Sequence, residues 1–339
     1  MHKPYIIAEI SANHNKSFEK AKELILASHQ AGVDAVKLQT YTPDTITINS
    51  DKEHFVVKSD NEWNGLTLHE VYEMAYTPWE WQADLKAYAD SIGVELFSTP
   101  FDETSVEFLE SIEVPRYKVA SPEIIDIPLL ECIGNTKKPV IMSTGMASLG
   151  EIEEAVQTLR DSGTKDITLL KCTSAYPAKP EEMNLRTMVH MGTTFGCKFG
   201  LSDHTIGPVV PIAAATLGAS VIEKHITFSR DENGPDSFFS STPAEFKEMV
   251  DSIDVIYSAL GEVTYGPVAR EINNQRSRRS IFFIQDMKAG DLITPSHVKS
   301  VRPGFGLHPR YLKEIIGMKV TEDVECGDPV GWGLIQKNG

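Results

Sequence analysis

The chain has 339 residues, 41% hydrophobic and 24% charged, ordinary usage for a globular protein with room for one large and one small domain. A net charge of −16 argues against nucleic acid as a partner, since neutralising phosphates requires a basic face, but it allows an anionic substrate in one locally positive pocket. Four scattered cysteines form no CxxC pair, no apolar run approaches the ~18 residues of a membrane span, and the N-terminus enters an apolar run within five residues. These features lead us to expect a reduced cytoplasmic protein with no signal peptide and no membrane association.

In chain order, the apolar run 5–10 carries Glu9, and Phe18–Ala31 has helical periodicity closed by Gly32. Ala35–Thr40 carries Lys37 and Gln39. The following stretch, 41–76, contains 52–60 and Trp63-Asn64-Gly65; it is too long for an ordinary connection and reads as a functional loop. A helix over 78–92, with Thr77 at its N-cap and Gly93 beyond it, leads to a run over 94–99 ending in Thr99. The helical segment 104–111 precedes the run 117–121, with Lys118 and Ser121. The run 140–144 ends in Ser143 and Thr144, and a helix follows over Leu149–Ser162. The run 167–173 ends at Thr173 and Ser174, with Tyr176 just beyond and a helix over 183–191. The run 199–204 ends in Asp203 and His204 before a helix over 208–217. Finally, 219–225 carries Glu223 and His225, and Pro243–Leu260 is helical.

Strands buried along their whole length read as continuous apolar runs and, in a (β/α)₈ barrel, open onto the active-site loops only at their C-terminal ends. Useful side chains at the end of all eight runs therefore predict an α/β TIM-barrel enzyme. A doubly wound open sheet would gather them at one switch point. The barrel is expected over 1–262 and a polar linker over 263–275. A small β-rich domain then spans 276–339, with strand pieces at 280–284, 292–293, Val298–Val301, Lys319–Val320 and 330–335.

His204 and His225 close successive strands ~4.8 Å apart, so they are candidates to share a divalent ion, or else are hydrogen-bonded rim histidines. Asp203 is a candidate to orient His204. Glu9 is placed to orient water or take a proton, or to pair with a lysine. Inward lysines are costly to bury without an anion, so Lys37 and Lys118 suggest a phosphate or carboxylate clamp, a Schiff-base amine, or simple pairing with Glu9 and Glu223. Ser121, Ser143, Thr144, Thr173 and Ser174 suit phosphate binding or loop capping. Tyr176 either lines the pocket or packs. Arg302, in Arg302-Pro303-Gly304-Phe305-Gly306, presents a bidentate donor or lies in a surface turn.

These motifs resemble the sialic acid synthase family: Glu9-Ile10-Ser11-Ala12-Asn13-His14, Val36-Lys37-Leu38-Gln39-Thr40, Phe97-Ser98-Thr99-Pro100-Phe101, Tyr117-Lys118-Val119-Ala120-Ser121, Ser143-Thr144-Gly145-Met146, Lys171-Cys172-Thr173, Gly200-Leu201-Ser202-Asp203-His204-Thr205 and Glu223-Lys224-His225. The tail from Arg276 resembles the family's antifreeze-like (SAF) domain. The resemblance implies condensation of phosphoenolpyruvate with an N-acetylated amino sugar and water, giving a nine-carbon 2-keto acid and phosphate. It also implies a divalent metal ion (Mn²⁺, Mg²⁺ or similar) and a domain-swapped homodimer. Within the family, Tyr41-Thr42-Pro43-Asp44-Thr45, Trp63-Asn64-Gly65, Tyr76-Thr77-Pro78-Trp79-Glu80-Trp81 and the run from Ser300 to Pro309 most resemble the branch whose sugar is 2,4-diacetamido-2,4,6-trideoxy-L-altrose.

By the same resemblance His204 and His225 hold the metal, and Glu9 activates or orients a group at the reacting centre. Lys37, Thr99, Lys118, Ser121 and Ser143 bind phosphoenolpyruvate; Gln39, Tyr176 and Asp236 meet the sugar. Arg302 arrives from a second subunit. Ser174 stands where the family tends to carry Asn, while Pro122 and Gly234-Pro235-Asp236 depart from the branch pattern. The rivals are a synthase for a different aldose, a Schiff-base aldolase using Lys118 or Lys171, and a carbohydrate-binding protein built around the tail.

Overall fold

The computed structural model describes residues 2–58, 63–232 and 234–337, so the stretch 52–60 singled out in the long loop is described only to residue 58. The chain forms two units, Met1–Gly261 and Glu262–Gly339. In the first, eight parallel strands close into a barrel. They are β1 (Tyr5–Glu9), β2 (Ala35–Thr40), β3 (Glu95–Pro100), β4 (Tyr117–Val119), β5 (Val140–Ser143), β6 (Ile167–Cys172), β7 (Lys198–Asp203) and β8 (Val221–His225). Closure pairs β1 with both β2 and β8, which sets Glu9 between Lys37 and His225.

The helices are α1 (Phe18–Ala31), α2 (Pro43–Ile46), α3 (Leu68–Ala75), α4 (Trp79–Ile92), α5 (Glu103–Ser111), α6 (Ile127–Asn135), α7 (Leu149–Ser162), α8 (Arg186–Phe195), α9 (Val209–Thr216) and α10 (Pro243–Leu260). In α1, Ala21, Leu24, Ile25, Ser28 and Ala31 form a buried stripe at helical spacing, Ser17 caps the start and Gly32 ends it at φ 88°. Burying Leu24 or Ile25 alone contributes about 2 kcal/mol.

Some local expectations fail for identifiable reasons. The N-cap of α4 is Pro78 rather than Thr77, whose hydroxyl meets His14 Nε2 at 2.9 Å instead. Residues 180–182 form a 3₁₀ turn and Asn184 takes a positive φ, so α8 starts at Arg186 rather than 183. The short helix α6 was not anticipated; Asp126 caps it and Leu129, Leu130 and Ile133 bury it. The long loop holds α2 and α3, each opened by a capping box, Thr42 with Thr45 and Thr67 with Glu70.

The second unit has two-stranded sheets of β9 (Ser280–Phe283) with β10 (Val298–Val301), and of β11 (Lys319–Val320) with β12 (Ile335–Gln336). Its core includes Ile281, Phe283, Ile293, Ile315 and Val320. Residues 332–334 are a 3₁₀ turn rather than strand, and Leu292 joins by an isolated bridge. The stretch expected as linker carries a 3₁₀ run over Ala269–Ser277. Among the described residues, no helix is long and apolar enough to cross a membrane.

Candidate active site

Side chains alternate across a strand, so one face of each strand end looks into the barrel mouth. Lys37 and Gln39 share that face, as do Glu223 and His225, and Ser202 with His204 just past the strand end. Together they line a cavity of about 410 Å³ with Glu9, Thr99, Lys118, Ser121, Ser143, Tyr176 and Asp236. Asp203 and Lys224 fall on the opposite face and pair there at 2.6 Å, both fully buried. Asp203 also accepts from Thr205, so it does not orient His204; that role falls to the Thr173 carbonyl, which accepts from His204 Nδ1 at 2.9 Å.

The cavity floor is a buried array of alternating charge. Lys37 pairs with Glu9 and lies 3.6 Å from Glu223, and its ammonium donates to the Thr99 hydroxyl at 3.0 Å. Burial depresses the Lys37 amine, but the Glu223 and Glu9 carboxylates outweigh it and hold it above its ordinary value. Burial pushes the Glu9 carboxyl up to about 7, against the pull of Lys37. Lys118 is different. Its hydrogen bonds go to the Ser143 hydroxyl at 2.7 Å and the Val119 carbonyl at 3.1 Å, its nearest carboxylate oxygen is on Glu223 at 3.9 Å, and burial holds its amine below the usual range.

Beside the lysines, the Ser121 hydroxyl accepts from the Gly145 backbone N–H at 3.0 Å. A Cβ on Gly145 would stand 2.3 Å from the Ser174 hydroxyl and 2.8 Å from that of Ser121, so only glycine fits between these two hydroxyls. Ser174 itself is not in the cavity lining. On the other side, Asp236 is bonded by the Ser11 hydroxyl, and burial raises its carboxyl. Lys171 points elsewhere, to the Cys172 carbonyl at 2.6 Å. Arg302 is an exposed residue of the second unit.

His204 and His225 have ring centroids 5.4 Å apart. Donation from His204 Nδ1 to a carbonyl leaves Nε2 as that ring's available lone pair. His225 Nδ1 is buried with no hydrogen-bond partner, and burial beside His204 and the lysines keeps its imidazole neutral. Two such rings are nitrogen donors that would fit a loosely held divalent ion. Among the described residues, no cluster of three or more His, Cys, Asp or Glu side chains offers a closed cage.

Sequence reasoning missed part of the lining. Glu223 pairs with Lys37 and Lys118, as one reading of the sequence expects, and also lines the cavity. Ser11 carried no signal of its own; its φ of 47° and its bond to Asp236 emerge only when the β1 and β8 loops meet. The long loop supplies Val57, Trp63, Leu68, Val71, Tyr72 and Ala75.

The fold and this site define a (β/α)₈-barrel enzyme with a small C-terminal β domain. The NeuB family model matches residues 24–265 and the SAF domain model residues 278–336; the chain belongs to the NeuB family. It is 43% identical over 336 residues to the pseudaminic acid synthase of Helicobacter pylori, covering 99% of this chain and 98% of that one. It is 42% identical over 326 residues to the pseudaminic acid synthase of Campylobacter jejuni, covering 96% and 95%. The crystal structure of the N-acetylneuraminic acid synthetase of Leptospira borgpetersenii superposes with a TM-score of 0.70 at 30% identity, covering 80% of this chain and 90% of that one.

Proposed function

We propose that the chain is a transferase that condenses phosphoenolpyruvate with 2,4-diacetamido-2,4,6-trideoxy-L-altrose and water to give pseudaminic acid and phosphate. The observation that carries this reading is Lys118, a buried amine set beside Lys37 in the mouth of a barrel, whose hydrogen bonds go to a hydroxyl and a carbonyl and whose nearest carboxylate oxygen, on Glu223 at 3.9 Å, is shared with Lys37. A buried cation so placed calls for an anionic ligand. Full-length likeness to pseudaminic acid synthases supports pseudaminic acid as the product.

In this reading Lys37, Lys118, Thr99, Ser121 and Ser143 hold the phosphate and carboxylate of phosphoenolpyruvate, while Gln39, Tyr176 and Asp236 orient the open-chain sugar and Ser174 braces Gly145 from behind. The methylene carbon of phosphoenolpyruvate attacks the aldehyde carbon, and positive charge develops at C2. Glu9, with a carboxyl poised near neutrality, takes a proton from the water that adds there. The resulting hemiketal phosphate expels phosphate by C–O cleavage. When bound at His204 and His225, a divalent ion such as Mn²⁺ or Mg²⁺ supplies Lewis-acid polarisation of the aldehyde oxygen.

Exclusion of bulk water from the cation at C2 requires a cover. Exposed apolar side chains follow the C-terminal ends of β4, β5, β7 and β8, namely Ile125, Met146, Ile206 and Phe238 on the connections and Leu149 and Val209 at the starts of α7 and α9. Such a surface suits a second copy of the chain, with Arg302 of that copy's small domain reaching the site in a domain-swapped homodimer in the cytoplasm. Pro235 and Asp236 line the cavity within the Gly234-Pro235-Asp236 motif, which favours N-acetylneuraminate or legionaminate synthesis as the second reading.

The test is phosphate release from phosphoenolpyruvate with Mn²⁺, comparing the trideoxy-altrose sugar with N-acetylmannosamine, each with and without chelator. Chelator-sensitive turnover of the altrose sugar is expected. Turnover of N-acetylmannosamine alone would move the chain to the second reading. Chelator-resistant activity trapped by borohydride would replace both with a Schiff-base aldolase using Lys118.

A further inference from the structure

Helix α3 of the long loop is amphipathic in an unusual sense. Leu68, Val71, Tyr72 and Ala75 stand at i, i+3, i+4 and i+7, the spacing of a core-facing stripe, yet all four line the reaction cavity. Thr67 and Glu70 fix the start of the helix with a capping box. The ring of Tyr41 packs edge-on against Tyr72 at 5.5 Å and against Phe101 at 5.2 Å, which anchors the stripe to the ends of β2 and β3. The cavity is therefore two-sided, with lysines, carboxylates and imidazoles on the floor and an aliphatic and aromatic wall that no phosphate or carboxylate needs.

We infer that the α3 stripe is the specificity wall for the end of the sugar remote from the aldehyde, and that it selects a terminal methyl group over a hydroxymethyl group. The inference rests on the condensation proposed above. There the aldehyde carbon must meet phosphoenolpyruvate over the lysines, so the far end of the open chain extends away from the charged floor and along the walls. A methyl group placed on Leu68 and Val71 gains from burial, whereas a hydroxymethyl oxygen there leaves water without a new partner. Apolar walls reject an added hydroxyl only moderately, so the expected preference is about a hundredfold in kcat/KM.

The experiment compares each sugar with its counterpart differing only at the terminal carbon, CH₃ against CH₂OH. It uses the full-length protein and is run in whichever series, altrose or mannosamine, the wild type turns over. The wild type is expected to favour the methyl sugar about a hundredfold. Leu68→Gln, on a partly exposed residue that the fold tolerates, and Val71→Thr are each expected to narrow that ratio to about tenfold. The change should lie in the KM of the sugar, with the KM of phosphoenolpyruvate unmoved. A wild type indifferent to the terminal group overturns the inference, as do variants that slow both sugars equally. Turnover of the mannosamine series alone overturns the proposed substrate, and the same CH₃ against CH₂OH ratio then decides the role of the wall independently.

Discussion

The two ends of the barrel treat charge in opposite ways. At the C-terminal end, Lys37 and Glu9 pair with side chains only 4% and 1% exposed, and Lys118 lies buried with one carboxylate oxygen of Glu223 at 3.9 Å, shared with Lys37. At the N-terminal end, a cavity of about 490 Å³ is bordered by Arg116 and Lys198. Arg116 grips Glu95 through two nitrogens at 2.5 and 3.2 Å, and Lys198 meets both oxygens of Asp166 at 2.9 and 3.0 Å. Those side chains are 25–60% exposed. Paired, hydrated charge costs little and stabilises modestly; buried, underpaired charge is a stability cost that substrate binding offsets. Cavity size alone therefore does not mark the active end, whereas the state of the charges does.

The largest expected effect comes from removing the underpaired cation. Lys118→Met should lower phosphate release about 10³-fold while the melting temperature holds or rises, since an apolar side chain suits that burial better. Retained activity with a lowered melting temperature would reverse the assignment of the two ends. Glu9→Gln should cost about 10²-fold in kcat. Wild-type activity should climb as pH passes about 7, where Glu9 loses its proton. Because that carboxyl is raised in the folded state, its contribution to stability is full below its unfolded value and lost as pH rises through about 7. Activity and stability should therefore move oppositely across that window, and parallel pH profiles would refute the role of Glu9.

At the other end, Arg116→Met should destabilise by about 2 kcal/mol with kcat unchanged, as read by denaturant midpoint and phosphate release. Lys198→Ala, at an exposed pair, should change stability by no more than about 0.5 kcal/mol. A loss of turnover in either variant would mean the N-terminal end communicates with the site.

Strand positions were legible because a fully buried parallel strand leaves an unbroken apolar run, and most of the cavity-lining residues were legible because they sit where those runs end. The helix α6 was not, because a nine-residue, largely apolar stretch with proline in its first turn is too short for pattern alone to separate it from a buried strand or loop. Asp203 was misread because its neighbour His204 faces the cavity while it faces the helices, a parity that requires the strand register. The α3 stripe had the correct period, but its period cannot say whether a core or a cavity lies opposite. Ser11 and Asp236 meet across 225 residues of sequence, and no local pattern encodes that encounter.

The barrel seam has a consequence for how the protein comes into being. Asn13 donates to the Ile226 carbonyl at 2.8 Å across 213 residues of sequence and also bonds Ser240 and Ser237, while Glu9 lies in register with His225. A nascent chain emerging from the ribosome thus carries Glu9 and Lys37 early and His225 only when the barrel is nearly synthesised. The proposed reaction centre is brought together by the same pairing of β1 with β8 that shuts the barrel, since Glu9 and His225 stand side by side only in that register.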